Sequence, residues 1–363
     1  MKQYLVLLIA LLAVFPGGLA VAAELVLQDG QWVQVAEPVP GTAEGDIAMV
    51  RQAVEKGNYQ SAIRQADTFI KAYPGDPQVE QAYYLSGEAE LARGRYWQAF
   101  KRYEKQLDNF PNGTLFERTL TREVVIADAF LAGKKKVVWG IFVLPAQADG
   151  LKILERVAER FPGSSLAEQS LMKIGDYYYS RQMWVEAAEA YKHYQDVFGN
   201  RARGSQAELK AANATLNSYK GPQFDDTPLV EAEQRYKAFA ARYPAEAGRE
   251  HIETVLGGIE SDKAQKDYDT ARFYARVARP GPAAFYYRQV IALYPTTDYA
   301  QQSRQALLKM NLPPTAEPAA PAGAVNPTPT QPAPVAPAAP AAPAIESLEG
   351  LIPATGPVDE GTR

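Results

Sequence analysis

Apolar and small residues along this chain follow a pattern that recurs six times. An aromatic residue followed by Pro or Gly stands at Tyr73-Pro74, Phe110-Pro111, Phe161-Pro162, Phe198-Gly199, Tyr243-Pro244 and Tyr294-Pro295. Eleven residues before each aromatic lies a small residue: Ala62, Ala99, Gly150, Ala187, Ala232 and Ala283. Seven residues before it stands Ala66, Tyr103, Leu154, Tyr191, Tyr236 or Tyr287. A helical hairpin accounts for all three positions. The small residue lets two antiparallel helices approach, and the larger residue after it fills the space between neighbouring hairpins. Pro then ends the second helix, because it lacks an N–H and biases its predecessor away from helix.

The first helix of a hairpin is legible in the best units, where Gly87, Gly94 and Tyr96 precede Ala99 and Gly175, Tyr178 and Trp184 precede Ala187. In this register the units resemble the tetratricopeptide repeat, with small residues at positions 8 and 20, an aromatic at 24 and Pro at 32. The resemblance runs from Ile47 to Met310 and implies a right-handed, all-α solenoid that binds polypeptide. The spacing is uneven: the third unit carries residues 133–149 between its helices, the fifth a loop over 221–228, and the sixth a first helix lengthened from Ala245. The predicted organisation is about six hairpins over 47–312, each contacting only its neighbours.

The two ends read differently. Lys2, the apolar run Tyr4 to Phe15, the breaker Pro16-Gly17-Gly18 and the small residues up to Ala22-Ala23 have the order of a secretory signal peptide over 1–23. An uncleaved anchor is the other reading of that segment. Cleavage makes the chain an exported, periplasmic protein, with the periplasmic face of the outer membrane as the location the resemblance below adds. Residues 24–46 contain a predicted β-hairpin with an Asp29-Gly30 turn. Residues 313–344, almost entirely Pro and Ala, cannot bury enough apolar surface to order and read as a disordered linker. It leads to a tail at 345–363, whose Ile345–Ile352 stretch is either a plain chain end or a tethered docking peptide.

Charge and candidate chemistry narrow the function. A formal net charge of -4 gives no case for nucleic acid. The chain has no Cys and only two histidines, His193 and His251, so the usual transition-metal ligands are scarce and no cofactor is expected. No HExxH, P-loop, GxGxxG or GxSxG occurs, and a non-enzymatic binder of protein partners is the reading that remains. The first-helix face lining the inside of such a superhelix would carry Tyr84, Glu88 and Leu91 in the second unit. In the fourth it would carry Met172, Asp176 and Tyr179. Aromatic and Met side chains there suit an extended peptide. Inside the third insertion, Lys134, Lys135 and Lys136 precede Trp139 and Phe142. This segment is either a peripheral membrane contact or a loop folded back on the solenoid.

The sixth unit sharpens the resemblance. Ala271-Arg272-Phe273-Tyr274, Ala283 to Arg288, Tyr294-Pro295-Thr296-Thr297 and Gln305-Ala306-Leu307 resemble the last repeat of BamD-like proteins of the outer-membrane β-barrel assembly machinery. The resemblance implies a scaffold whose N-terminal hairpins receive unfolded clients and whose C-terminal hairpin docks a partner through Tyr286 and Arg288. The chain departs from that family in lacking a lipidated cysteine, in the third insertion and in the Pro/Ala-rich segment. Another periplasmic adaptor coordinating cell-envelope or division proteins is the alternative.

Overall fold

The structure, a computed structural model, describes residues 25–28, 31–34, 39–138 and 141–314. The expected signal peptide, the segment from 315 onward and the 345–363 tail lie outside the described residues. Fourteen helices are described. The first hairpin pairs α1 (Ala43–Glu55) with α2 (Tyr59–Ala72), and the second pairs α3 (Val79–Ala92) with α4 (Tyr96–Asn109). The third joins α5 (Phe116–Leu131) to α6 (Gln147–Arg160), and the fourth α7 (Ser165–Ser180) to α8 (Trp184–Phe198). The fifth joins α9 (Gly204–Asn217) to α10 (Thr227–Arg242).

Five of the second helices end in one backbone conformation. Tyr73, Phe110, Phe161, Tyr243 and Tyr294 have φ of -127, -131, -132, -129 and -130° and ψ of 55, 62, 61, 63 and 56°. Each still donates its N–H to the carbonyl four residues back, but the Pro that follows keeps it out of the α region. Phe198 is the control. Gly199 follows it, the helix runs on through Phe198, and Gly199 itself caps the helix at φ -56°, ψ -23°.

The small residues are where the hairpins close. Ala62, Ala99, Ala187, Ala232 and Ala283 have no exposed surface, and Gly150 is buried with them. The later residues Ala66, Tyr103, Leu154, Tyr191, Tyr236 and Tyr287 are buried too. Opposite two of the tyrosines the first helix has Gly. A Cβ at Gly87 would sit 2.4 Å from the Tyr103 ring, and one at Gly175 would sit 2.5 Å from the Tyr191 ring. The first hairpin solves the same volume the other way round, packing Val50 in one core cluster with Ala66.

The helices fall into two compact units, one formed by residues 1–220 and 224–256, the other by 221–223 and 257–363. The first holds the five hairpins above and a short helix, α11 (Pro244–Arg249). The lengthened first helix expected from Ala245 is therefore broken. His251 takes a left-handed φ of 52° between α11 and α12 (Ile252–Arg276), and so lies at a helix junction rather than inside one long helix. In the second unit, the part of α12 beyond Gly257 packs Ala271 against Ala283, Ala284 and Tyr287 of α13 (Pro280–Leu293). Leu307 of α14 (Asp298–Lys309) closes that cluster.

Two ribbons complete the description. Near the N-terminus β1 (Leu25–Gln28) pairs antiparallel with β2 (Gln31–Gln34), Gln28 opposite Gln31, so two residues connect the strands. The third insertion, read as a loop, is a second ribbon: β3 (Lys136–Val138) pairs with β4 (Phe142–Leu144), Val137 opposite Val143.

Candidate protein-binding surface

The row of first helices α3, α5, α7 and α9 is held in register by charged groups. Glu88, next to Gly87 on α3, accepts a hydrogen bond from the Tyr103 hydroxyl of α4 and another from Arg122 of α5 at 2.7 Å. The fourth hairpin repeats the device. Asp176, next to Gly175 on α7, accepts from the Tyr191 hydroxyl at 2.7 Å and from Lys210 of α9 at 2.5 Å. In both cases the cation stands 34 residues beyond the acid, one repeat length. Between them, Lys173 of α7 donates to both oxygens of Asp128 on α5 at 2.8 Å. The second helices carry their own row: Arg102 pairs with Asp67, and Arg160 with Asp108 at 2.7 Å.

These ion pairs are partly solvated, so each one alone contributes only up to about 1 kcal/mol. The buried tyrosines add hydrogen bonds to charged acceptors, which are stronger. Burial, and then the neighbouring Glu88, holds the Tyr103 phenol well above its ordinary pKa. Burial and Asp176 do the same for Tyr191. Both hydroxyls are therefore protonated donors throughout the physiological range.

The residues expected on the inner wall differ in accessibility. Tyr84 and Met172 are each only 4% exposed. The Tyr84 ring lies 5.9 Å from that of Tyr103, with the Arg118 guanidinium 5.1 Å above it. Leu91, Glu88 and Tyr179 are half-buried, and Asp176 is exposed. Tyr179 meets Trp184 edge-on at 5.2 Å and Tyr191 at 6.2 Å. In the second unit Tyr286 stacks on Tyr274 at 5.7 Å, with the planes 8° apart. Arg288 donates to the carbonyl of Pro313 at 3.2 and 3.3 Å, turning the chain back along α13.

In the third insertion Lys134 and Lys135 are exposed, whereas Lys136 is turned inward. Its ammonium donates to Asp149 at 2.8 Å and lies 4.9 Å above the Trp97 ring. Phe142 is half exposed, and Trp139 lies outside the described residues.

Sequence reasoning passed over the cations that complete the row, Arg122, Lys173 and Lys210; for Arg122 and Lys210 an acid 34 positions earlier was the signal available, whereas Lys173 stands 45 beyond Asp128. It also passed over Glu123 on α5, which has no exposed surface and adjoins the carboxylate of Glu104. Burial, and next the adjoining Glu104, raises its pKa well above the carboxylate range, against the opposing pull of Arg160 and Arg156. No cluster of metal-ligand type is found among the described residues, and both His193 and His251 are exposed.

A family model described as an outer membrane lipoprotein, YfiO, matches residues 146–320, from the start of α6 through the sixth hairpin. Over those residues, just under half of the chain, the sequence is similar to this BamD-like family. No curated protein matches. Among solved structures, the C-terminal part of a TPR repeat-containing protein from Cytophaga hutchinsonii is similar at 13% identity and a TM-score of 0.32, over 73% of this chain and 88% of that one. A tetratricopeptide repeat protein from Parabacteroides merdae is similar at 14% identity and a TM-score of 0.32, over 74% and 98%. PilW, a type IV pilus biogenesis factor, is similar at 13% identity and a TM-score of 0.26, over 73% and 99%.

Proposed function

We propose that this BamD-like chain is a non-enzymatic periplasmic scaffold that holds unfolded or extended polypeptide, in the manner of the outer-membrane β-barrel assembly component it resembles. The observation that carries the reading is the family match over residues 146–320. The row of first helices supports it. Its acids and bases neutralise one another between hairpins, which leaves a stiff wall whose free contacts are aromatic and apolar. A preorganised wall of this kind gives a ligand large contact area without the cost of ordering loops. In this reading Leu91 and Tyr179 meet the client, while Glu88 and Asp176 set the spacing of the wall. Tyr84 and Met172 shape it from behind, and Tyr286 and Arg288 mark the C-terminal docking hairpin.

A second reading follows from the limits of the match, which begins at residue 146 and leaves the first two hairpins outside it. Those hairpins could then serve a different periplasmic complex of envelope or division proteins. Photo-crosslinking from Leu91 and Tyr179 in cells, with exposed Val185 of α8 as the control site, separates the two. Recovery of barrel-assembly components or barrel precursors at Leu91 and Tyr179 alone supports the first reading. Recovery of envelope or division proteins alone replaces it with the second, and equal adducts at Val185 overturn the wall as the site.

A further inference from the structure

Acid–base pairs tie the second helices to one another as far as the third hairpin. Asp67 of α2 pairs with Arg102 of α4, Glu104 of α4 accepts from Arg156 and Arg160 of α6, and Asp108 accepts from Arg160. The next junction, from α6 to α8, breaks the row. Glu155 of α6 stands on one side and Glu186 and Glu189 of α8 on the other, all three exposed. Among the described residues none of the three pairs with a cation. Like charges set across a junction cost stability, so the partner of these acids is to be sought outside the chain.

The acids rim a groove of about 320 Å³ whose floor is apolar. Helical spacing builds it. Leu171, Ile174 and Tyr178 recur at i, i+3 and i+7 on α7, and Glu186, Glu189 and Ala190 at i, i+3 and i+4 on α8, each set on one face. Leu171 and Ile174 belong to the buried core, and Tyr178 and Ala190 are half-buried against it. No Lys or Arg lines the groove, and His193 is its one other titratable side chain. Burial, and then Glu155 and Glu186, hold the Tyr178 phenol above its ordinary pKa, so acids from both walls act on one ring. Leu171 and Tyr178 are offset by one position from Met172 and Tyr179, about 100° round the helix, which sets the groove apart from the client wall.

We propose that this apolar groove docks a basic segment of a partner protein, one that places an apolar residue between two Arg or Lys residues, an interaction surface beyond the client binding proposed above. Charge complementarity selects the occupant. No group of acids and histidines that could hold a metal ion is found among the described residues, so the positive charge has to arrive on separate groups. A volume at the lower end of the range for ligand pockets suits single side chains. The apolar residue fills the floor, and the stems of the flanking basic residues lie along Ala190 and Tyr178 with their charged heads at the carboxylates. One of those heads then meets the face of the Tyr178 ring. The rim repels an anionic partner, and the net charge of -4 weighs against a second copy of this chain.

Fluorescence anisotropy at pH 8 tests this with a labelled ten-residue peptide of alternating Arg and Leu, against a counterpart of alternating Glu and Leu. The full mature chain should bind the first peptide and not the second. Glu155→Gln/Glu186→Gln/Glu189→Gln should weaken binding at least tenfold, and so should Ala190→Trp, which fills the groove at unchanged charge. An equal charge change at exposed acids elsewhere, Glu117→Gln/Glu231→Gln/Glu250→Gln, should leave binding within twofold of the native chain. The first triple variant alters only exposed carboxylates, so it decides the matter even where Ala190→Trp disturbs the hairpin. No binding of the basic peptide, equal weakening by both triple variants, or native binding by the first triple variant or by a folded Ala190→Trp chain overturns the proposal. So does self-association in sedimentation equilibrium that the first triple variant abolishes, which assigns the groove to a second copy of the chain.

Discussion

Gly87 and Gly175 are set by the tyrosines across from them, since a single methyl at either place would enter a ring that has nowhere to go. Gly87→Ala should cost about 1–3 kcal/mol through overpacking, read as a lower thermal midpoint for the first unit. The first hairpin supplies the compensating design in Val50 and Ala66, so Gly87→Val/Tyr103→Ala should recover part of the loss. No recovery would mean that the Tyr103 hydroxyl on Glu88 matters more than volume. Glu123 gives a pH-dependent counterpart. Its raised pKa means that the folded chain keeps a proton the unfolded chain has released, so stability falls as pH rises above the ordinary carboxylate value. Glu104, Arg156 and Arg160 face this carboxyl. Glu123→Gln should therefore raise the midpoint at pH 8 by a few degrees, about 1–3 kcal/mol for a buried polar group, with the gap closing near pH 4. An equal gap at both pH values would show the carboxylate ionised in the fold. The tyrosines behave in the same sense at the alkaline end. Burial raises Tyr103, Tyr191, Tyr194 and Tyr236, so each loses stability for the fold once pH passes 10. Absorbance at 295 nm should rise in two stages, the second coinciding with loss of helicity.

Between elements, the contacts that set hairpin spacing come in two kinds. Close packing at Ala99 and Ala187 fixes how near the helices of one hairpin lie, while Glu88–Arg122 and Asp176–Lys210 tie successive first helices together. Removing the cation leaves the acid with its tyrosine, so Arg122→Ala should cost no more than about 1 kcal/mol. Tyr103→Phe should cost more, because it takes a buried hydroxyl from a charged acceptor. Chemical denaturation of the two variants ranks them, and the reverse order would place the register lock in the ion pair. The aromatic-Pro ends show how one residue sets an element boundary: with Gly199 in place of Pro, the helix extends through its aromatic.

Across the first unit the hairpins touch mainly their neighbours in sequence, so a lesion should spread by nearest-neighbour steps. Leu120 is fully buried in the core that α5 shares with adjoining helices. Leu120→Ala should raise hydrogen exchange in α3 to α6 well before α9 and α10 respond. Uniform loss of protection would mean that the unit unfolds as one cooperative block. The repeats themselves were legible in the sequence because small, aromatic and Pro positions are local requirements of a helical hairpin, each tied to a residue type. The division into two units, the break at His251 and the ribbon inside the third insertion were not. Backbone φ at a non-glycine residue leaves no strong local signature, and strands of three residues are too short to show an alternating pattern. The candidate wall divides in the same way. Sequence placed Tyr84, Glu88, Met172, Asp176 and Tyr179 on first helices, because helical periodicity fixes the face. Only the packed helices decided that Tyr84 and Met172 are buried and that Glu88 and Asp176 are paired. Burial and ion pairing depend on what the next hairpin brings, and that is a property of the stack rather than of any one helix.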